Sequence, residues 1–267
     1  KFIYKNFGKE VDEFSDYLIF FNSDLTTELV KEFPNLQGKV GGYLADYENF
    51  PKIVSEAFFD QYEYEFPETC NNDLTFILSI AQKFDAILGY FVSKHDLSGA
   101  GDPFGIRRLV LSIVKICIEK KIRINFHDLF NFHKNLYLEQ QIELKTEFIF
   151  INKFFQKRIT ILFGEMGFRQ DIINASMTNE LDPFSIFERM NQMTRLYNST
   201  DGNSFLKAFK RLSSLTEDLK NDNLITTLFI KEEEKILCNL LNDFRDRIEK
   251  EGSNFIFDNF QYLNKLT

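Results

Sequence analysis

The stretch Asp102-Pro-Phe-Gly-Ile-Arg-Arg-Leu-Val-Leu-Ser-Ile-Val-Lys-Ile-Cys-Ile-Glu-Lys-Lys121 decides the fold class. Ile106, Val110, Ile113, Val114 and then Cys117 or Ile118 recur at three- and four-residue intervals, which lines one face of an α-helix with apolar side chains. Asp102 is placed to cap this helix and Pro103 to take its first position, where a fixed φ fits and the missing N–H is no loss. Lys120 and Lys121 close it, cations at the end of the helix that prefers them. A second aspartate-proline pair, Asp182-Pro183, predicts another helix running to about residue 197.

Outward from that stretch the same periodicity continues. Residues 10–21 read as a helix. Asp24 is expected to cap the next one, with Thr27 and Glu28 following and Leu25, Leu29 and Phe33 on one apolar face. Pro34 interrupts that helix or starts its successor. Leu36, Val40 and Tyr43 carry a helical spacing through Gly38, Gly41 and Gly42, which let a neighbouring backbone approach closely. Residues 50–62 form a short helix, with Pro51 in its first turn and Val54, Phe58 and Tyr62 on one face. Asp73 caps a helix to about residue 92. Residues 139–164 read as one long helix, 167–176 as a short one, and Asp201-Gly202 as a turn. Residues 205–215 and 217–228 are further helical candidates. Residues 231–250 form a charged amphipathic helix in which Ile236, Leu240, Phe244 and Ile248 recur every four residues.

The composition agrees with an all-α architecture. Of 267 residues, 44% are hydrophobic and 32 are Phe, enough for a sizeable core, whereas 12 Gly and 5 Pro are too few for the turns of a sheet-rich fold. The formal net charge of -8 argues against a general polyanion binder and leaves room for a local basic face. Cys70, Cys117 and Cys238 share no paired spacing, as expected of reduced thiols. Residues 76–92 are interrupted by Gln82, Lys83 and Asp85 and read as a buried helix, not a membrane span. The first residues carry no signal-peptide pattern, and a start at Lys1 instead of Met suggests a piece of a longer protein.

Catalytic signals are weak. His95-Asp96 and His127-Asp128 are His-Asp pairs of the kind that metal-dependent phosphohydrolases of the HD type use, but a dipeptide alone is a poor signal, and His127 and His133 are six apart. No nucleotide loop, nucleophile elbow or zinc-protease motif occurs. The loop of residues 98–103 is glycine-rich and precedes a helix, yet it lacks the Lys and hydroxyl of a nucleotide-binding loop. Arg107 and Arg108 stand in the first turns of the quoted helix, where the dipole disfavours them, so their placement calls for carboxylates, a neighbouring domain or RNA phosphate. With Lys115, Lys120, Lys121 and Arg123 they form the best electrostatic candidate for an RNA or interdomain contact, and equally suit a solvated edge. Arg158, Arg169, Arg189 and Arg195 are scattered beyond it.

The segments of residues 24–38 and 99–108 resemble the beta subunit of the two-subunit bacterial glycyl-tRNA synthetase. So do residues 167–171, Asp182-Pro183-Phe184 and residues 201–210, in the expected order. The resemblance implies a degenerate HD-like helical domain over residues 1–130 and a helical connecting body over residues 131–267. It implies no catalytic centre, metal or cofactor in this chain: ATP, Mg and glycine belong to the alpha subunit, and the complex attaches glycine to its tRNA. The partners implied are that alpha subunit and tRNA(Gly), in the cytoplasm, with no membrane and no DNA. Departures from the family's pattern strengthen the non-catalytic reading. Asp60-Gln61-Tyr62 stands where Glu-His-Tyr is usual, and Ala81-Gln82-Lys83 where Ala-Asp-Lys is usual. Asn22-Ser23-Asp24 occupies the HD-like core position, with Asp24 read as a cap and packing partner. A purely structural interdomain module is the alternative, and a metal-dependent phosphohydrolase a third.

Overall fold

The computed structural model describes residues 3, 12–63, 65, 70, 72–92, 102, 104–144, 146–178, 181–216 and 229–251. These residues are helical or in connections, with no strand among them, so the protein is all-α. The helices are α1 Ser15–Leu18, α2 Glu28–Glu32, α3 Lys39–Tyr47, α4 Lys52–Asp60, α5 Asp73–Val92, α6 Ile106–Glu119, α7 Phe126–Glu139, α8 Phe148–Glu165, α9 Gln170–Ser176, α10 Pro183–Asn198, α11 Thr200–Thr216 and α12 Glu232–Glu251. Short 3₁₀ turns at Asp12–Phe14, Ser23–Thr26 and Pro34–Leu36 punctuate the N-terminal part.

The chain divides into two compact units, residues 1–187 and 188–267. Residue 130 lies inside the first. There α3 packs on α4, α5 lies between α4 and α6, and α8 packs on α6 and α9. The heavy use of Phe explains the centre: Phe84 of α5 meets Phe126 and His133 of α7 and Phe155 of α8, with ring centroids 5.9, 5.2 and 6.0 Å away. Burial pushes the His133 imidazole below its ordinary value, and its Nδ1 lies 3.0 Å from the Leu129 carbonyl. Helix α5 is long and apolar enough to cross a membrane. Leu74, Phe76, Ile80, Phe84, Ile87 and Leu88 on it are nonetheless buried against protein, as the interrupting polar residues led one to expect. In the second unit α11 begins at Thr200, so Asp201-Gly202 is its first turn and not a connection. Gly202 is required there, because a Cβ would lie 1.8 Å from the Leu196 carbonyl oxygen.

Several boundaries differ from the sequence reading for local reasons. Of the helix expected over residues 10–21, the described residues 12–21 give a 3₁₀ turn and the four residues of α1. Thr27, not Asp24, caps α2, its side chain accepting from Val30 N–H at 3.3 Å. Leu25 belongs to the preceding 3₁₀ turn, so the helical spacing joining it to Leu29 and Phe33 does not apply. The three are 43%, 49% and 47% exposed, and Val30 is the residue α2 buries. Asn72 caps α5, its Oδ1 facing the N–H groups of Leu74 and Thr75. Gln140 and Gln141, the latter with φ +60, separate α7 from α8, so residues 139–164 are not one helix. The glycines of α3 behave as expected: a Cβ on Gly42 would lie 2.6 Å from Phe59 Cβ, which is how closely α3 and α4 meet. His95-Asp96, residues 217–228 and most of the loop of residues 98–103 lie outside the described residues.

Candidate nucleic-acid interface

Helix α6 carries Arg107, Arg108 and Lys115, with Lys120, Lys121 and Arg123 following its end, and its start explains where the first two point. Gly105 takes φ +66 and forms its N-terminal boundary, so the first helical residue is Ile106, three later than the aspartate-proline pair suggested. Asp102 still serves the helix from outside: its carboxylate accepts from the N–H of Arg107 at 3.2 Å and of Arg108 at 3.4 Å. Asp182 is nearer to the expected cap, accepting Ser185 N–H at 3.1 Å with Pro183 opening α10. Asp102→Ala is therefore expected to lower unfolding free energy by about 0.5–2 kcal/mol, measured by urea titration. No change would mean that these N–H groups find water equally well.

Leu109, Val110, Ile113, Val114 and Cys117 face the core and leave the basic residues outside. Those residues diverge. Arg108 is exposed and lines an open cavity of about 360 Å³ with Glu63, Glu65, Leu111, Ser112 and Lys115. Lys115 reaches Glu65 across it at 2.5 Å, which holds that carboxyl below its ordinary value. Arg107 is half-buried one position round the helix. Lys120 turns back, donating to the Cys70 carbonyl at 3.0 Å and lying 4.4 Å from the centre of the Phe76 ring. Lys121 is exposed in a left-handed turn, φ +56. Arg123 donates to Ser185 Oγ at 2.6 Å and lies over Phe184. The six thus share a region of the first unit without sharing a face. Among the scattered arginines, Arg169 grips Asp171 with two bonds of 3.1 and 2.7 Å.

Next to this region sits a buried polar centre. Asp24 is 1% exposed, and its Oδ2 accepts the Gly38 N–H at 2.7 Å, which ties the 3₁₀ turn to the start of α3. Gly41 admits it, since a Cβ there would lie 3.3 Å from Asp24 Cβ. Tyr62 donates to Asn22 Oδ1 at 2.7 Å, and burial pushes its hydroxyl up to about 12. Lys83 is wholly buried. Its Nζ meets the carbonyls of Gln61 at 3.3 Å and Glu63 at 2.7 Å, and the Ser79 hydroxyl. Desolvation pulls the amine down to about 7, with the Glu63 charge opposing. The signal for it was visible: Lys83 falls on the α5 face of Phe76, Ile80 and Ile87. Among the described residues no three His, Cys, Asp or Glu side chains gather to hold a metal ion.

A family model described as glycyl-tRNA synthetase beta subunit matches residues 6–178. The chain belongs to that family. It is 31% identical over 236 residues to the glycine–tRNA ligase beta subunit of Rickettsia canadensis (strain McKiel), covering 84% of this chain and 35% of the relative. With the beta subunit of Buchnera aphidicola subsp. Acyrthosiphon pisum (strain Tuc7) the identity is 31% over 253 residues, 91% of this chain and 36% of the relative. The chain thus spans about a third of the length of these relatives. Gln61, which the resemblance marked as a departure, has a definite structural setting. Gln61 donates to the Phe58 carbonyl at 3.2 Å and lends its own carbonyl to Lys83. It serves to close the end of α4.

Proposed function

We propose that this chain is a non-catalytic tRNA-binding and assembly module of the beta subunit of glycine–tRNA ligase. It supports the ATP-dependent glycylation of tRNA(Gly) that the alpha subunit carries out in the cytoplasm. Residues 1–130 would be the degenerate HD-like part and residues 131–267 the connecting body. The observation that carries the reading is the exposed cavity on α6 in which Arg108 and Lys115 converge, in a chain of this family. A guanidinium and an ammonium on a solvent-facing groove suit phosphate and 2′-hydroxyl contacts to structured RNA. Lys115 would exchange Glu65 for phosphate, and because that carboxylate is fully exposed and screened by water the exchange is inexpensive.

The test is a titration of tRNA(Gly) against the complete alpha-beta enzyme at two salt concentrations, with Arg108→Gln and Lys115→Gln. Each variant is expected to weaken binding and to reduce the salt slope by about one. Unchanged affinity and slope in both would remove this face from the RNA contact. A purely structural reading has its own support, because Lys120 and Arg123 are engaged inside the first unit. It predicts that variants at those two positions lower stability and leave the salt slope alone.

A further inference from the structure

The charge of this chain is unevenly placed. Residues 12–63 hold eleven Asp and Glu against three Lys and no Arg, so this stretch alone carries the net -8 of the whole chain, and the remainder balances. The same stretch turns large apolar side chains to solvent. Ile19 is 76% and Tyr47 81% exposed, and Phe20, Tyr43 and Leu44, their neighbours in the chain or along α3, are exposed as well. A cluster of this kind is costly in water and marks a contact surface. Phe20 and Leu44 line one open pocket of about 290 Å³, together with Phe50 and the buried Phe58. Phe20 leans on Phe50 with ring centroids 5.6 Å apart, and Gly41 leaves the wall without a side chain. The charged member of the lining is Glu48, an exposed carboxylate at the C-terminal boundary of α3. Among the described residues no Lys or Arg pairs with it, whereas nearby Asp46 is met by Lys52 at 3.7 Å. Asp16 is exposed four residues before Phe20.

We propose that this pocket and its acidic rim dock a protein segment that presents one large apolar side chain next to Lys or Arg, and that the segment belongs to the beta subunit outside residues 1–267. The apolar side chain fills the pocket between Phe20 and Leu44, and the cation meets Glu48. RNA does not suit this face, because its phosphates would meet carboxylates. Size argues for the source. The chain spans 35% and 36% of two of its relatives. A segment of the same polypeptide is held at high effective concentration, so a single pocket suffices where a free partner needs a far larger surface. The dock deepens the assembly half of the function proposed above and does not depend on the RNA half.

The experiment uses the complete alpha-beta enzyme with a benzophenone-bearing amino acid in place of Tyr47, one turn along α3 from Leu44, or in place of Lys134, exposed on α7, as the control. After illumination the linked peptides are identified. Tyr47 is expected to link to a peptide of the beta subunit outside residues 1–267 that carries Lys or Arg beside a large apolar residue, and Lys134 is not. Adding Glu48→Arg should lower the yield of that link about tenfold, and Glu48→Gln by less, since the first reverses the charge and the second only removes it. A cation at the C-terminal end of α3 suits the helix dipole, so a lost link in Glu48→Arg is not a lost fold. Links from Tyr47 to the alpha subunit or to a second copy of residues 1–267, the same link from Lys134, or no link at all would overturn the dock, as would a yield that neither Glu48 variant changes. The Arg108 and Lys115 titrations read the RNA half separately, so either can fail without the other.

Discussion

Replacing Phe84 with alanine is expected to lower the free energy of unfolding by roughly 3–5 kcal/mol. The ring is 0% exposed and is the meeting point of three helices, touching Phe126, His133 and Phe155. Alanine there loses the transfer free energy of the ring and leaves a hole that α5, α7 and α8 fill only in part, because each is held elsewhere along its length. Phe33→Ala is the matched comparison. That ring is 47% exposed, at the end of the five-residue α2, and its loss should cost less than about 1 kcal/mol. Urea unfolding followed by circular dichroism measures both. Equal effects would mean that the centre of the first unit lies elsewhere.

The second large effect is a dependence on pH that belongs to Lys83. The amine is held near pKa 7 in the folded protein against 10.5 ordinarily. Between those values the unfolded chain binds a proton that the folded chain does not, so stability rises with pH across the window. Below pH 7 both states are protonated, and the burial of the ammonium is felt in full. The whole swing is on the order of 5 kcal/mol, and about 2 kcal/mol of it falls between pH 7 and pH 9. The site accommodates both forms. The ammonium donates to Gln61, Glu63 and Ser79, whereas the amine donates to the two carbonyls and accepts from the hydroxyl. Lys83→Met removes the titration, so the measurement is the stability difference between the two proteins at each pH. Cys117, whose thiol burial pushes up, destabilises both at high pH and drops out of that difference. A difference that stays flat from pH 7 to pH 9 would show that Lys83 holds its proton throughout.

What was legible in the sequence was mostly what repeats locally. The stripe of α6 identified its buried face because 3.6-residue periodicity is a property of one helix alone. The close approach at Gly42 and the capping role of Asp182 were readable for the same reason. Asp102 shows the limit: the pair looks identical to Asp182-Pro183, but Gly105 adopts a left-handed conformation and restarts the helix at Ile106. The face assigned to Leu25, Leu29 and Phe33 failed because a 3₁₀ turn breaks the helical phase between the first two. For the site, sequence found Arg107 and Arg108, which stand out against the helix dipole. It did not find that Lys120 folds back on Phe76, since that depends on how helices distant in the chain are stacked.

The most direct test of the account is to map where RNA touches this chain in the assembled enzyme, by photo-crosslinking tRNA(Gly) to the complete alpha-beta complex and identifying the linked peptides. Crosslinks should concentrate on α6 around Arg108 and Lys115. Crosslinks confined to protein outside residues 1–267 would contradict an RNA-binding role for this part of the beta subunit.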